Sequence, residues 1–198
     1  VAAGLFAGFV NTMAGGGSLL TLPLLIFFGL PPATANGTNR IAIFVSTSSA
    51  TLGFRSKNVN SFPFSIYLGI TAFLGALIGA RIAVEIDGLL FNKILAIIMM
   101  VVVVLMVFKP NYKSELLEPK TTGKTLIWSM IAFFFIGIYG GFINAGIGFI
   151  IMLFLNYVNK LDLVRVNATK VALVFIYTTG ALATFVLSGH INLKYGVA

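Results

Sequence analysis

Two interrupted apolar stretches hold the residues with the best claim to chemistry. In the first, Asn11 precedes the run Gly15-Gly16-Gly17-Ser18; in the second, Asn144 precedes Gly146 and Gly148. Consecutive glycines are poor helix formers, so each site reads as a break between two short helices. A break leaves backbone N–H groups free, and the helix that follows presents its positive end to them. That combination suits a small oxyanion. Glycine also lets a ligand approach the backbone closely, and Ser18 is positioned to cap the following helix. The alternative is packing, because Gly4/Gly8, Gly75/Gly79 and Gly137/Gly141 have the small-xxx-small spacing that brings helices together. Asn11 and Asn144 can donate to a substrate or tie off the exposed backbone of the break.

Thr38-Asn39-Arg40 and Thr169-Lys170 sit near the expected starts of the helices that follow the two breaks. A cation gains nothing from a helix N-terminus, so Arg40 and Lys170 need another partner. Either they face an anion path or they snorkel to lipid headgroups. Thr47, Ser48, Ser49 and Thr51, with Thr178 and Thr179 opposite, can line a polar path or bond back to helix carbonyls; the second is expected. Arg81, Glu85 and Asp87 read as an interfacial ion cluster, His190 as an interface residue and Trp128 as an interface anchor. The chain has no Cys, one His and five acids. Disulfides, thiolate ligands and cysteine nucleophiles are excluded. No paired carboxylates, triad or metal-ligand spacing is present, so the sequence predicts neither an enzyme nor a metal or cofactor.

The elements that position these residues follow from composition. Apolar residues make up 59% of the 198 and charged residues 9%, against about 25% charged in soluble domains. Apolar stretches near the ~20 residues needed to cross a bilayer as helix recur throughout. An all-α, polytopic transmembrane bundle is expected. The excess of 13 Lys and Arg over 5 acids, a formal +8, falls mainly in short loops. It reports topology and lipid headgroups as partners rather than nucleic acid. The first run begins at Val1 without a charged region before it, which does not read as a signal peptide; both chain ends are expected to be truncated.

Two short helices are expected over 1–28, then helices over about 36–54, 62–84 and 89–108, a polar linker over 109–124, a broken stretch over 125–158 and a last helix over 167–187. The halves, 1–108 and 125–198, resemble each other. Gly8-Phe-Val-Asn11 matches Gly141-Phe-Ile-Asn144, Asn36-Gly-Thr-Asn39 matches Asn167-Ala-Thr-Lys170, and Val59-Asn60 matches Ile191-Asn192. Duplicated halves with interrupted helices at corresponding places are a signature of secondary transporters. If each break dips in and returns, the repeats are inverted. Arg55, Lys57, Lys109, Lys113, Lys120, Lys124, Lys160, Arg165 and Lys170 then share one face, opposite Arg40, Arg81, Lys93 and Lys194. The positive-inside rule favours this arrangement, with the linker in the cytoplasm.

The segment Gly15-Gly-Gly-Ser-Leu-Leu-Thr-Leu-Pro-Leu-Leu, followed by Gly29-Leu-Pro-Pro-Ala-Thr-Ala-Asn-Gly-Thr-Asn39, resembles the sulfite exporter TauE/SafE family. The resemblance extends over essentially the whole chain and is most specific in its first 55 residues. It implies a multi-pass protein of the bacterial inner membrane that exports sulfite, sulfoacetate or related anions. The expected substrate contacts are Asn11, Gly15, Gly16, Gly17, Ser18, Thr38, Asn39, Arg40, Asn144, Gly146, Gly148, Thr169 and Lys170. Homo-oligomers remain open. The rival expectation is a membrane scaffold whose glycines serve packing alone.

Overall fold

The computed structural model describes residues 8–12, 15–59, 61–107 and 118–196. Gly4, Asn60, Lys109, Lys113 and most of the expected linker lie outside them. Among the described residues the chain is helical throughout. After a helical segment at residues 8–12 come α1 (Ser18–Phe27), α2 (Pro32–Ser56), α3 (Phe64–Glu85), α4 (Gly88–Val107), α5 (Gly123–Phe142), α6 (Ile147–Tyr157), α7 (Leu163–Leu187) and the single turn α8 (Leu193–Gly196). Three of these, α3, α5 and α7, are long and apolar enough to cross a membrane.

Two helix starts differ from the expected ones, and both differences move site residues. α2 begins at Pro32, whose fixed φ and missing N–H suit the first helical position. α7 begins at Leu163, where the Asp162 carboxylate accepts from the N–H groups of Val164 and Arg165, each at 3.0 Å. Thr38–Arg40 and Thr169–Lys170 therefore lie well inside their helices rather than at the starts. α5 likewise begins at Gly123, ahead of the expected boundary at 125. Asp87 caps α4 through Leu89 and Leu90, and Arg81 pairs with Glu85 at 3.1 Å on the exposed surface.

The tightest packing joins α3 to α5. A Cβ on Gly75 or Gly79 would strike the carbonyls of Phe134 and Ile138, and one on Gly137 or Gly141 those of Ala72 and Ala76. The glycines let two helix backbones touch, which is how helices associate where burial from water supplies no drive. On the next face α3 runs parallel to α7, with Gly69 against Ile176 and Gly180 against Phe73. α2 runs the other way along α7: Phe44 meets Phe175 with ring centroids 5.1 Å apart, Arg40 meets Phe185, and Thr38 meets Asn192.

α5 and α6 form a helical hairpin. Phe133 packs edge-on against Phe154, and Asn159 bonds back to both Ser129 and the Lys120 carbonyl. The chain thus returns after the break to the end of the bundle where α5 began. The directions of the helices gather Arg55, Lys57, Lys120, Lys124, Lys160 and Arg165 at that end. Arg81, Lys93 and Lys194 lie towards the other.

The α3–α5 contact yields a stability prediction. Gly137→Leu must push the two backbones apart and is expected to cost about 1–3 kcal/mol. Gly53→Ala, where a Cβ meets nothing within 4 Å, is expected to be neutral or to stabilise by about 0.5–1 kcal/mol. Thermal unfolding of both variants in detergent checks the pair.

Candidate functional site at the two helix breaks

The second break is built by left-handed backbone. Asn144 has φ 60° and Gly146 φ 70°, so α5 stops at Phe142 and α6 restarts at Ile147. Asn is among the few side chains that tolerate this conformation. In the first break Gly15 has φ 73°, and its N–H returns to the carbonyls of Val10 and Asn11. The two breaks touch: a Cβ on Gly15 would collide with the Gly148 backbone, and one on Gly16 would press on Phe149 at 3.1 Å.

Asn144 ties the junction together. Its Nδ2 donates to Ser18 Oγ at 3.3 Å, and its Oδ1 accepts from the Tyr177 hydroxyl at 2.6 Å. The Ser18 hydroxyl is therefore used across the junction, and α1 has no side-chain cap; the expected capping role is not seen. Tyr139 donates to the Ala145 carbonyl and fastens the break to its own helix. The sequence reading missed both tyrosines. The available signal was a tyrosine within an apolar helix, whose hydroxyl needs a partner once buried.

Arg40 and Lys170 are both buried, at 0% and 1% exposure, so neither snorkels. Arg40 Nη2 donates to the Gly141 carbonyl at 2.7 Å, and Asn36 Nδ2 donates to the Phe142 carbonyl at 2.6 Å. These are the last two carbonyls of α5, which have no helical partner. Lys170 Nζ donates to the Thr12 carbonyl at 2.9 Å, at the end of the helical segment 8–12, and lies 3.8 Å from Met152 Sδ. Each cation thus sits on the negative end of the interrupted helix in the other half of the chain, where the dipole favours it.

Donors remain in surplus. Arg40 Nε and Nη1 and Asn39 Nδ2 are buried without partners among the described residues, while Asn39 Oδ1 accepts from Thr21 at 2.6 Å. Asn11, Gly17, Ser18 and Asn39 line a small cavity of about 10 Å³, enough for roughly one water. Thr38 is drawn elsewhere, accepting from the Asn192 N–H at 2.9 Å. Thr169 is buried, and Gly146 packs on Val102. Thr47, Thr51 and Thr179 bond to carbonyls one turn back in their own helices.

The sequence as a whole has counterparts among known proteins. The sulfite exporter TauE/SafE family model matches residues 1–198, the entire chain. The chain belongs to this family. A relative from Haemophilus influenzae, named "Probable membrane transporter protein", is 30% identical over 98% of this chain and 75% of its own length. One from Sinorhizobium sp, named "Probable membrane transporter protein ORF9", is 25% identical over 98% of this chain and 74% of its own. Escherichia coli K12 "Probable membrane transporter protein YfcA" is 28% identical over 94% and 69%. No solved structure matches at a significant level. This TauE/SafE chain is a multi-pass protein of the cell membrane, and its relatives are named as transporters.

The Ser18–Asn144–Tyr177 chain predicts coupled energetics. Tyr177→Phe leaves Asn144 Oδ1 buried without its donor and is expected to cost about 1–3 kcal/mol. Asn144→Ala is expected to cost a similar amount. The double variant should fall short of the sum, a coupling a double-mutant cycle of detergent unfolding measures.

Proposed function

We propose that this chain is the membrane part of an exporter for sulfur oxyanions or small organosulfur anions such as sulfite or sulfoacetate. The anion is held where the two breaks meet. The observation that carries the proposal is Arg40. A guanidinium taken out of water costs several kcal/mol unless it is paired, and among the described residues Arg40 has one carbonyl partner, the face of the Phe185 ring and two unused donor nitrogens. Among the described residues, the ion pairs Arg81–Glu85 and Arg165–Asp162 lie elsewhere, on exposed side chains. An oxyanion with several acceptor oxygens supplies what the site lacks. Asn39 adds a further free donor, and Asn11, Gly15, Gly16, Gly17, Ser18, Asn144, Gly146, Gly148 and Lys170 surround the junction.

The cavity at the first break is too small for sulfite as it stands. Binding therefore requires the anion to compete with Gly141 for Arg40 and to part the glycine contact. This links occupancy to movement of the breaks. Repeats of inverted topology give that movement two faces. Supporting them are the antiparallel course of α2 and α7, the return of the α5–α6 hairpin to its starting end, and the reciprocal placing of Arg40 and Lys170. The end carrying Arg55, Lys57, Lys120, Lys124, Lys160 and Arg165 is the cytoplasmic one by the positive-inside rule. In this arrangement both hairpins are re-entrant from opposite faces, and the polar linker over 109–124 separates repeats 1–108 and 125–198.

One observation favours a second reading, that of a non-transporting membrane scaffold. Gly15 and Gly148 are in backbone contact, and both polar atoms of Asn144 are satisfied within the protein. Purified protein titrated with sulfite, beside sulfate, by calorimetry or thermal shift separates the two. The transporter reading expects saturable sulfite binding, weakened about 10- to 100-fold in Arg40→Gln, the loss of a charge-assisted bond of about 1.5–3 kcal/mol. Gly16→Leu should abolish it. Absence of binding by any sulfur oxyanion would sink the transporter reading and leave the scaffold standing.

A further inference from the structure

The corresponding ends of the two repeats are not alike. At one end Gly37 packs directly on the His190 carbonyl and on Phe185, Thr38 accepts from the Asn192 N–H, and Gly196 closes against Ile41. This end is sealed. In the sequence match Ala168 corresponds to Gly37 and Val59 to Ile191. At the opposite end those residues line an open cavity of about 640 Å³ with Thr51, Phe54, Arg55, Asn58 and Ser61. That volume lies within the range of roughly 300–1,000 Å³ typical of ligand sites, and Arg55 gives it a positive charge.

The cavity points along a definite course. Thr51 and Phe54 belong to a stripe on α2 that continues through Thr47 and Phe44 to Arg40, at alternating spacings of three and four residues. Thr47 is buried, and Phe44 meets Phe175 of α7 at a centroid distance of 5.1 Å. The ring pair therefore stands on this stripe between the cavity and the buried guanidinium. One turn further along α7, towards Arg40, the Thr178 hydroxyl is buried without a partner among the described residues.

We propose that the Arg55 cavity is the loading vestibule for the transported anion, and that the Phe44–Phe175 pair is the barrier between it and Arg40. Among the described residues, the structure is open at the Arg55 end and closed at the Gly37 end. This rests on the reading of Arg40 as an anion site. It adds the route, the barrier and a specificity element, Arg55, which gathers anions before any is bound.

The sequence contains no cysteine, so single cysteines can be introduced without background. In liposomes, Thr51→Cys is expected to react with an anionic sulfonatoethyl methanethiosulfonate, while Thr38→Cys at the sealed end stays unmodified. Arg55→Gln should slow that reaction roughly fivefold relative to a cationic reagent, the influence of one unit charge a few ångströms away in water. Thr178→Cys, on the Arg40 side of the ring pair, should be inert with Phe44 present and reactive in Phe44→Ala. An inert Thr51→Cys in a protein that still binds sulfite through Arg40 overturns the vestibule and leaves the proposed function intact. Unchanged inertness of Thr178→Cys in Phe44→Ala overturns the barrier. Labelling of Thr51→Cys in a protein that binds no sulfur oxyanion overturns the proposed function and the anion route with it.

Discussion

Backbone polar groups that leave a helix within a membrane have no water to turn to, and the arrangement of this molecule follows from meeting that demand. α5 ends at Phe142 inside the bundle, and the Thr12 carbonyl, at the last described residue before the first break, is met there too. These carbonyls are met by side chains from the other half of the chain: Asn36 and Arg40 for α5, Lys170 for the first segment. The same groups complete the breaks and bring buried positive charge to them. In the proposed site, Arg40 serves both ends: its Nη2 caps the Gly141 carbonyl, while Nε and Nη1 have no partner among the described residues.

The sequence and the structure agree on what periodicity and composition can report. Helical class, the glycine interruptions and the number of principal segments follow from apolar runs and their punctuation, with no knowledge of partners. The starts of α2 and α7 did not follow, for an identifiable reason. Asn36–Arg40 and Asn167–Lys170 are polar enough to resemble an interface, so the helices were expected to begin there. Pro32 at a first helical position and the Asp162 cap are the local signals that place the starts earlier. The polar residues are interior because distant carbonyls receive them.

The site was legible in part. That glycine breaks and nearby cations matter could be read from residue types, because such residues are costly in a bilayer. What Arg40 and Lys170 bond to could not be read, since a carbonyl acceptor leaves no side-chain signature and lies about a hundred or more residues away. Tyr177 did carry a signal, a hydroxyl within an apolar helix, but its partner Asn144 on the preceding break could not be read from it. Thr38 carried the right residue type and the wrong partner, since its hydroxyl serves the Asn192 turn.

The glycine contact between α3 and α5 has a mechanical meaning. Where two backbones touch through Gly75, Gly79, Gly137 and Gly141, there is little room to slide or tilt. α3 comes from the first half of the chain, whereas α5 carries the second break. Any rocking of the protein must therefore carry these two helices together as one stiff girder. In such a rocking the moving unit would mix both halves, so the boundary between 1–108 and 125–198 would not be the line along which the molecule bends.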